Sequence, residues 1–229
     1  MTSVNIPSTH PAGTLPGVIH GNPATSHMGL IVLQEWWGMN EQIVRTGREL
    51  AEMGRFATLV PDLYRGKITK DYEEAGHLMS GLDWPGAVED IRAAACFLMG
   101  KGCRKVGVTG FCMGGALSIA AAALVGEISA AAPFYGIPKA ELCKVRTINI
   151  PVQAHFGDQD TVHGFSAPED AQAFKAAMDK KLGFEFYMYA AGHGFTNPEH
   201  PTNYNKECAD LALSRTVKFM QRLLQTANV

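Results

Sequence analysis

Short apolar runs alternate along this chain with longer amphipathic stretches. Residues 29–35 (GLIVLQE), 56–62 (FATLVPD), 104–110 (RKVGVTG), 128–136, 150–157 and 184–190 are each a few residues long, and Gly, Pro or Asp recurs at their ends. That pattern predicts strands buried on both faces. Between them the spacing predicts helices over 41–53, closed by Gly54, over 84–100, over the Ala-rich 114–125, over 168–181 and over the amphipathic 204–225. Asp83 is placed to cap the second of these, with Pro85 in its first turn. Residues 64–83 carry mixed signals and predict a loop with a short helix, and residues 1–27, rich in Pro, Gly, Thr and His, admit an edge hairpin. At least six strands and five helices in alternation predict an α/β fold: an open, doubly wound, mostly parallel sheet flanked by helices. No repeat, linker or large lid insertion interrupts it, so residues 1–229 are expected to form a single domain.

Composition narrows the partners. Apolar residues make up 46% and charged residues 18%, ordinary for a globular protein, and the net charge of −2 argues against nucleic acid or an anionic membrane. No run approaches the roughly 18 apolar residues of a membrane span, and the polar start shows no secretory pattern. The five cysteines, at 96, 103, 112, 143 and 208, form no C-x-x-C or Cys/His metal spacing. An odd, scattered set is a poor disulfide framework and reads as free thiols in a reducing, cytoplasmic compartment. His155 reads as a core histidine, and His163 and His200 form no helical i, i+4 pair, so no metal is expected. No G-x-G-x-x-G or P-loop follows a strand, so no nucleotide cofactor is expected either. The expected partner is a small molecule, and the expected state a monomer or weak dimer.

The chemistry concentrates in Gly110-Phe111-Cys112-Met113-Gly114-Gly115, between a strand and a helix. This is the G-x-nucleophile-x-G form of a nucleophile elbow, with Cys in place of Ser. A tight strand-to-helix turn leaves no room for side chains at the flanking positions, and it puts Cys112 at a helix N-terminus, where a thiolate is favoured. The Met113 N–H would then face a developing oxyanion. Asp158 and Asp160 follow one strand and His193 another, both in loops beyond carboxyl ends, and in the order nucleophile, acid, histidine. A neutral imidazole can take the thiol proton while a carboxylate fixes its tautomer.

With QEWWG (34–38), PDLYRG (61–66), GFCMGG (110–115), PFYG (133–136), HFGDQD (155–160) and AGHGF about His193, the chain from about 29 to 224 resembles the dienelactone hydrolases (carboxymethylenebutenolidases), α/β-hydrolases with a cysteine nucleophile. The resemblance implies a triad of Cys112, Asp160 and His193, with Asp160 preferred over Asp158 as the last residue of G-x-x-D. It implies that Glu35 holds the cysteine's proton at rest, and that the Trp36 N–H is the second oxyanion donor. A carboxylate amid Trp36 and Trp37 should also have a raised pKa on physical grounds. The family's best-known members grip a substrate carboxylate with arginines, one of them four residues after the histidine, where this chain has Asn197. Segment 71–83 has no Arg or Lys; Arg65 is the cation set to meet an anionic group, unless it is an ordinary loop charge. Trp36, Tyr64, Tyr135 and Phe195 either line an aromatic pocket or belong to the core. The expected activity is hydrolysis of a lactone or small activated ester through an acyl-thiol. A glutamine amidotransferase would need a His-x-Glu pair, and the first Glu after His193 is Glu199. A non-catalytic binding protein on the same fold would be expected to show a damaged triad.

Overall fold

The computed structural model describes residues 1–225. Eight strands form one sheet: β1 (Thr2–Ile6), β2 (Leu15–His20), β3 (Met28–Leu33), β4 (Ala57–Pro61), β5 (Lys105–Phe111), β6 (Ile128–Phe134), β7 (Val152–Gly157) and β8 (Phe184–Tyr189), in spatial order β1-β2-β4-β3-β5-β6-β7-β8. The hairpin β1–β2 and the pair β2–β4 are antiparallel, and every later pairing is parallel. This is the doubly wound arrangement that the alternation predicts, with the N-terminal hairpin added at one edge.

The helices are α1 (Pro23–Ser26), α2 (Glu41–Gly54), α3 (Tyr72–Ser80), α4 (Trp84–Gly100), α5 (Met113–Leu124), α6 (Pro168–Met178) and α7 (Lys206–Leu224). Alternate residues of each strand feed two cores. Ile31, Leu33, Leu59, Val108 and Ala131 pack with α4, α5 and α6, whereas Leu30, Val32, Val60, Ala132 and Phe134 pack with α2 and α7. Both faces are thus covered, which is why the central strands read as continuous apolar runs.

Local chemistry sets the helix starts. Asn40, Asp83 and Asn205 accept the N–H of Ile43, Gly86 and Cys208 at about 3.1 Å, satisfying donors left free at the first turns of α2, α4 and α7. At the end of α2 the structure departs from expectation. Gly54 lies inside the last turn, and the left-handed residue that closes the helix is Arg55, at φ 56°. Gly54 is needed for another reason: a Cβ there would collide with the Phe56 ring.

Candidate active site

Strand β5 ends at Phe111 and helix α5 begins at Met113, so Cys112 alone makes the turn, at φ 54° and ψ −115°. A non-glycine residue rarely occupies such a conformation, and strain of this kind gathers at functional sites. The flanking glycines permit it. A Cβ on Gly110 would run into the Gly114 backbone, and one on Gly114 into the carbonyls of Leu33 and Gln34 at the end of β3. As the N-cap of α5, Cys112 makes no side-chain capping bond, so its sulfur is not spent on the helix. The Met113 N–H belongs to the first turn, whose amides have no partner within a helix. Underneath, the Tyr64 hydroxyl donates to Met113 Sδ at 3.1 Å.

Loops after β7 and β8 bring the other groups in. Asp160 is buried, while Asp158 is exposed. Asp160 Oδ1 accepts the Val162 N–H at 2.9 Å, and Oδ2 lies 2.8 Å from His193 Nδ1. That leaves Nε2 of His193 as the ring nitrogen on the side of Cys112, whose thiol acts on the imidazole. Burial disfavours charge on His193. The negative charge of Cys112 and the bonds from Asp160 and Cys112 outweigh it and raise the imidazole to about 10. Burial likewise opposes the Asp160 charge, but His193, the Val162 N–H and the Ser166 hydroxyl hold its carboxyl below the usual range. Ser166 Oγ lies 3.0 Å from His193 Nδ1.

Glu35 stands two residues beyond β3 and is buried. Its Oε2 accepts Asn197 Nδ2 at 2.6 Å, and its Oε1 the Tyr135 hydroxyl at 3.4 Å. Asn197 Oδ1 accepts the Glu199 N–H, which orients the amide so that Nδ2 faces Glu35. Tyr135, just past β6, also lies 2.6 Å from Thr196 Oγ1. Burial raises the Glu35 pKa, against the charge of His193 and bonds from Asn197, Tyr135 and Trp37. Glu35 thus ties the loop after β3 to the loop that carries His193. Thr196 belongs to no recognisable motif; only the tertiary contact marks it.

The aromatic residues divide. Tyr135 and Phe195 are fully buried, their rings 5.4 Å apart, with Tyr135 5.1 Å from the His193 ring. Tyr64 is buried beneath the elbow, whereas Trp36 is half-exposed and meets Trp37 and Tyr72 edge to face. Arg65 points elsewhere: its guanidinium forks onto Asp90 at 2.8 and 2.9 Å. With Tyr64, Lys67, His77 and Asp90 it lines a cleft of about 300 Å³ to which neither Cys112 nor His193 contributes. The other thiols have no comparable setting. Burial pushes Cys103 and Cys143 up to about 11, and Cys96 and Cys208 are also raised by burial.

A model of the dienelactone hydrolase family matches residues 15–224, nearly the whole chain. The chain belongs to the dienelactone hydrolase family. It is a hydrolase of the carboxylic-ester class, built on the α/β-hydrolase fold. It is 31% identical over 212 residues to protein usf of Aquifex pyrophilus, covering 86% of this chain and 88% of the relative. To carboxymethylenebutenolidase of Pseudomonas putida it is 29% identical over 220 residues, covering 90% and 91%. Among solved structures, a dienelactone hydrolase-like promiscuous phosphotriesterase from metagenomic libraries superposes with a TM-score of 0.82 at 21% identity, over 98% of this chain and 99% of the other. At that identity the likeness concerns the fold. Among the described residues, no helix of this dienelactone hydrolase family member is long and apolar enough to cross a membrane.

Proposed function

We propose that this hydrolase cleaves a lactone or small activated carboxylic ester through an acyl-thiol on Cys112. The observation that carries the reading is that Cys112, His193 and Asp160 come together at the carboxyl ends of β5, β8 and β7, with His193 Nδ1 2.8 Å from Asp160 Oδ2 and its imidazole acted on by Cys112. His193 Nε2 takes the thiol proton, and the thiolate attacks the ester carbonyl, forming a C–S bond. The amides of Met113 and Trp36 hold the oxyanion. As the tetrahedral intermediate collapses, the C–O bond breaks and His193 returns its proton to the leaving oxygen. The charge on Cys112 leads the influences that raise His193, and it vanishes on acylation. The ring then becomes a base able to take a proton from water, which attacks the thioester and releases the carboxylic acid and Cys112.

Arg65 is held by Asp90, and the position that would carry a second arginine is Asn197, bound to Glu35. This favours a substrate without the carboxylate of dienelactone itself, met by the half-exposed Trp36. Glu35 serves as a buried acid that anchors the oxyanion loop. A free nucleophilic thiol suits a reducing compartment, the cytoplasm, and the whole chain is read as one domain. Cys112→Ala should abolish turnover of nitrophenyl acetate while the protein remains folded; retained activity would overturn the reading.

A further inference from the structure

Ser166 is fully buried beside the candidate triad, in a stretch of chain that no motif marks. Residues 162–167 lead from Asp160 into α6 and curl back over it. The Ser166 N–H donates to Val162 O at 2.9 Å, and the Phe165 N–H to Asp170 Oδ2 at 3.1 Å. This turn sets Ser166 Oγ 3.0 Å from His193 Nδ1, the nitrogen that lies 2.8 Å from Asp160 Oδ2, so the hydroxyl acts on the Asp160 carboxylate as well. The Nδ1–H is a single proton, aimed at Asp160 Oδ2 and shared with Ser166 Oγ, so the hydroxyl hydrogen is free to go to Asp160. The carboxylate, with no exposed surface of its own, then receives Val162 N–H, His193 Nδ1–H and Ser166 O–H. The other charged groups of this segment are engaged elsewhere or face solvent. Asp170 takes the Phe165 N–H, His163 pairs with Glu169 at the surface, and Asp158 is exposed.

We propose that Ser166 is a positioning residue for the acyl-transfer reaction: its hydroxyl keeps the Asp160 carboxylate charged and aimed at Nδ1, and so keeps His193 presenting Nε2 to Cys112. The inference rests on the triad reading above. A buried carboxylate that loses a donor is harder to keep ionised, and an imidazole that loses one of two partners at Nδ1 is freer to turn.

The test compares wild type with Ser166→Ala and Ser166→Cys, the latter keeping nearly the same shape with a weaker donor. Hydrolysis of nitrophenyl acetate is followed against pH, with Tm measured for each variant. Ser166→Ala should lower kcat by about tenfold with KM unchanged, the scale of one hydrogen bond to a charged group. The acid limb of its rate profile should move to higher pH, because Asp160 without the hydroxyl takes up a proton sooner. Ser166→Cys should fall between the two. An Ala variant with wild-type kcat and an unmoved acid limb overturns the proposal, as does a loss of kcat that follows Tm alone with the limb in place. Cys112→Ala run alongside separates the two levels. If that variant keeps its activity, the triad reading and this inference fall together. If it is inactive and Ser166→Ala behaves as wild type, only the role of Ser166 falls.

Discussion

At the scale of single residues, Cys112 is distinguished from its four fellow cysteines by geometry rather than by identity. It is the cysteine at a left-handed turn and the one whose charge acts on His193, whereas Cys103 and Cys143 are ordinary buried thiols. The electrostatics run both ways along that contact. Burial alone would keep His193 neutral, and the Cys112 charge leads the influences that reverse this. Cys112→Ala should therefore drop the His193 pKa from about 10 toward the ordinary value of about 6.5, even though Asp160 stays in place. Titration of the imidazole protons by NMR reads this directly. An unchanged titration would mean that the charge on Cys112 does not govern the histidine.

Among the elements, the loop after β4 has a structural task that its sequence does not advertise. Arg65, at φ 51°, forks onto Asp90 of α4, and Asp90 also accepts the Ser8 hydroxyl from beyond β1 at 2.6 Å. Three segments distant in sequence are thus tied at one carboxylate that is 1% exposed. Arg65→Met would leave that carboxylate buried without its cation, and such a break costs about 3–5 kcal/mol. Denaturant unfolding should show a lower midpoint with an unchanged slope. A variant as stable as wild type would mean that the fork carries no net energy. The residues of PDLYRG are visible in the sequence, but the Arg65–Asp90 pairing is not, because it depends on how α4 is laid across the sheet.

Over the whole molecule, the sheet carries a second buried polar network away from Cys112. His155, in β7, is stacked on Phe134 at 4.3 Å and bonded to Tyr189 Oη at 2.8 Å, and to Gln153 Oε1 and Thr216 Oγ1 at 3.1 Å. Burial, aided by the charge of Arg215, holds its pKa down to about 3. The unfolded chain binds a proton at this imidazole below about 6.5, and the folded one does not until about 3, so stability falls as pH drops through that window. The Tm of His155→Asn should decline less than that of wild type between about pH 6.5 and 4, the upper part of that window. Parallel declines would show that the acid sensitivity comes from other groups. The strand predicted at 150–157 and the core role of His155 both follow from the apolar pattern. Its stacking partner and hydroxyl partners come from β6, β8 and α7, which no local pattern could pair with it.

Sequence alone determined the elements and the elbow. Apolar periodicity, caps such as Asp83 and the glycines of 110–115 act over a few residues, and their physical consequences are local. The same locality placed an acid and a histidine after the right strands, yet it left Asp158 and Asp160 unresolved without a family to compare. Tertiary structure decided which carboxylate meets His193, what Glu35 and Arg65 bind, and that Ser166 lies against both Asp160 and His193. Those outcomes depend on the parallel sheet bringing the ends of β3, β5, β6, β7 and β8 to one edge. Contacts between residues as far apart as 35 and 197 have no signature in either stretch by itself.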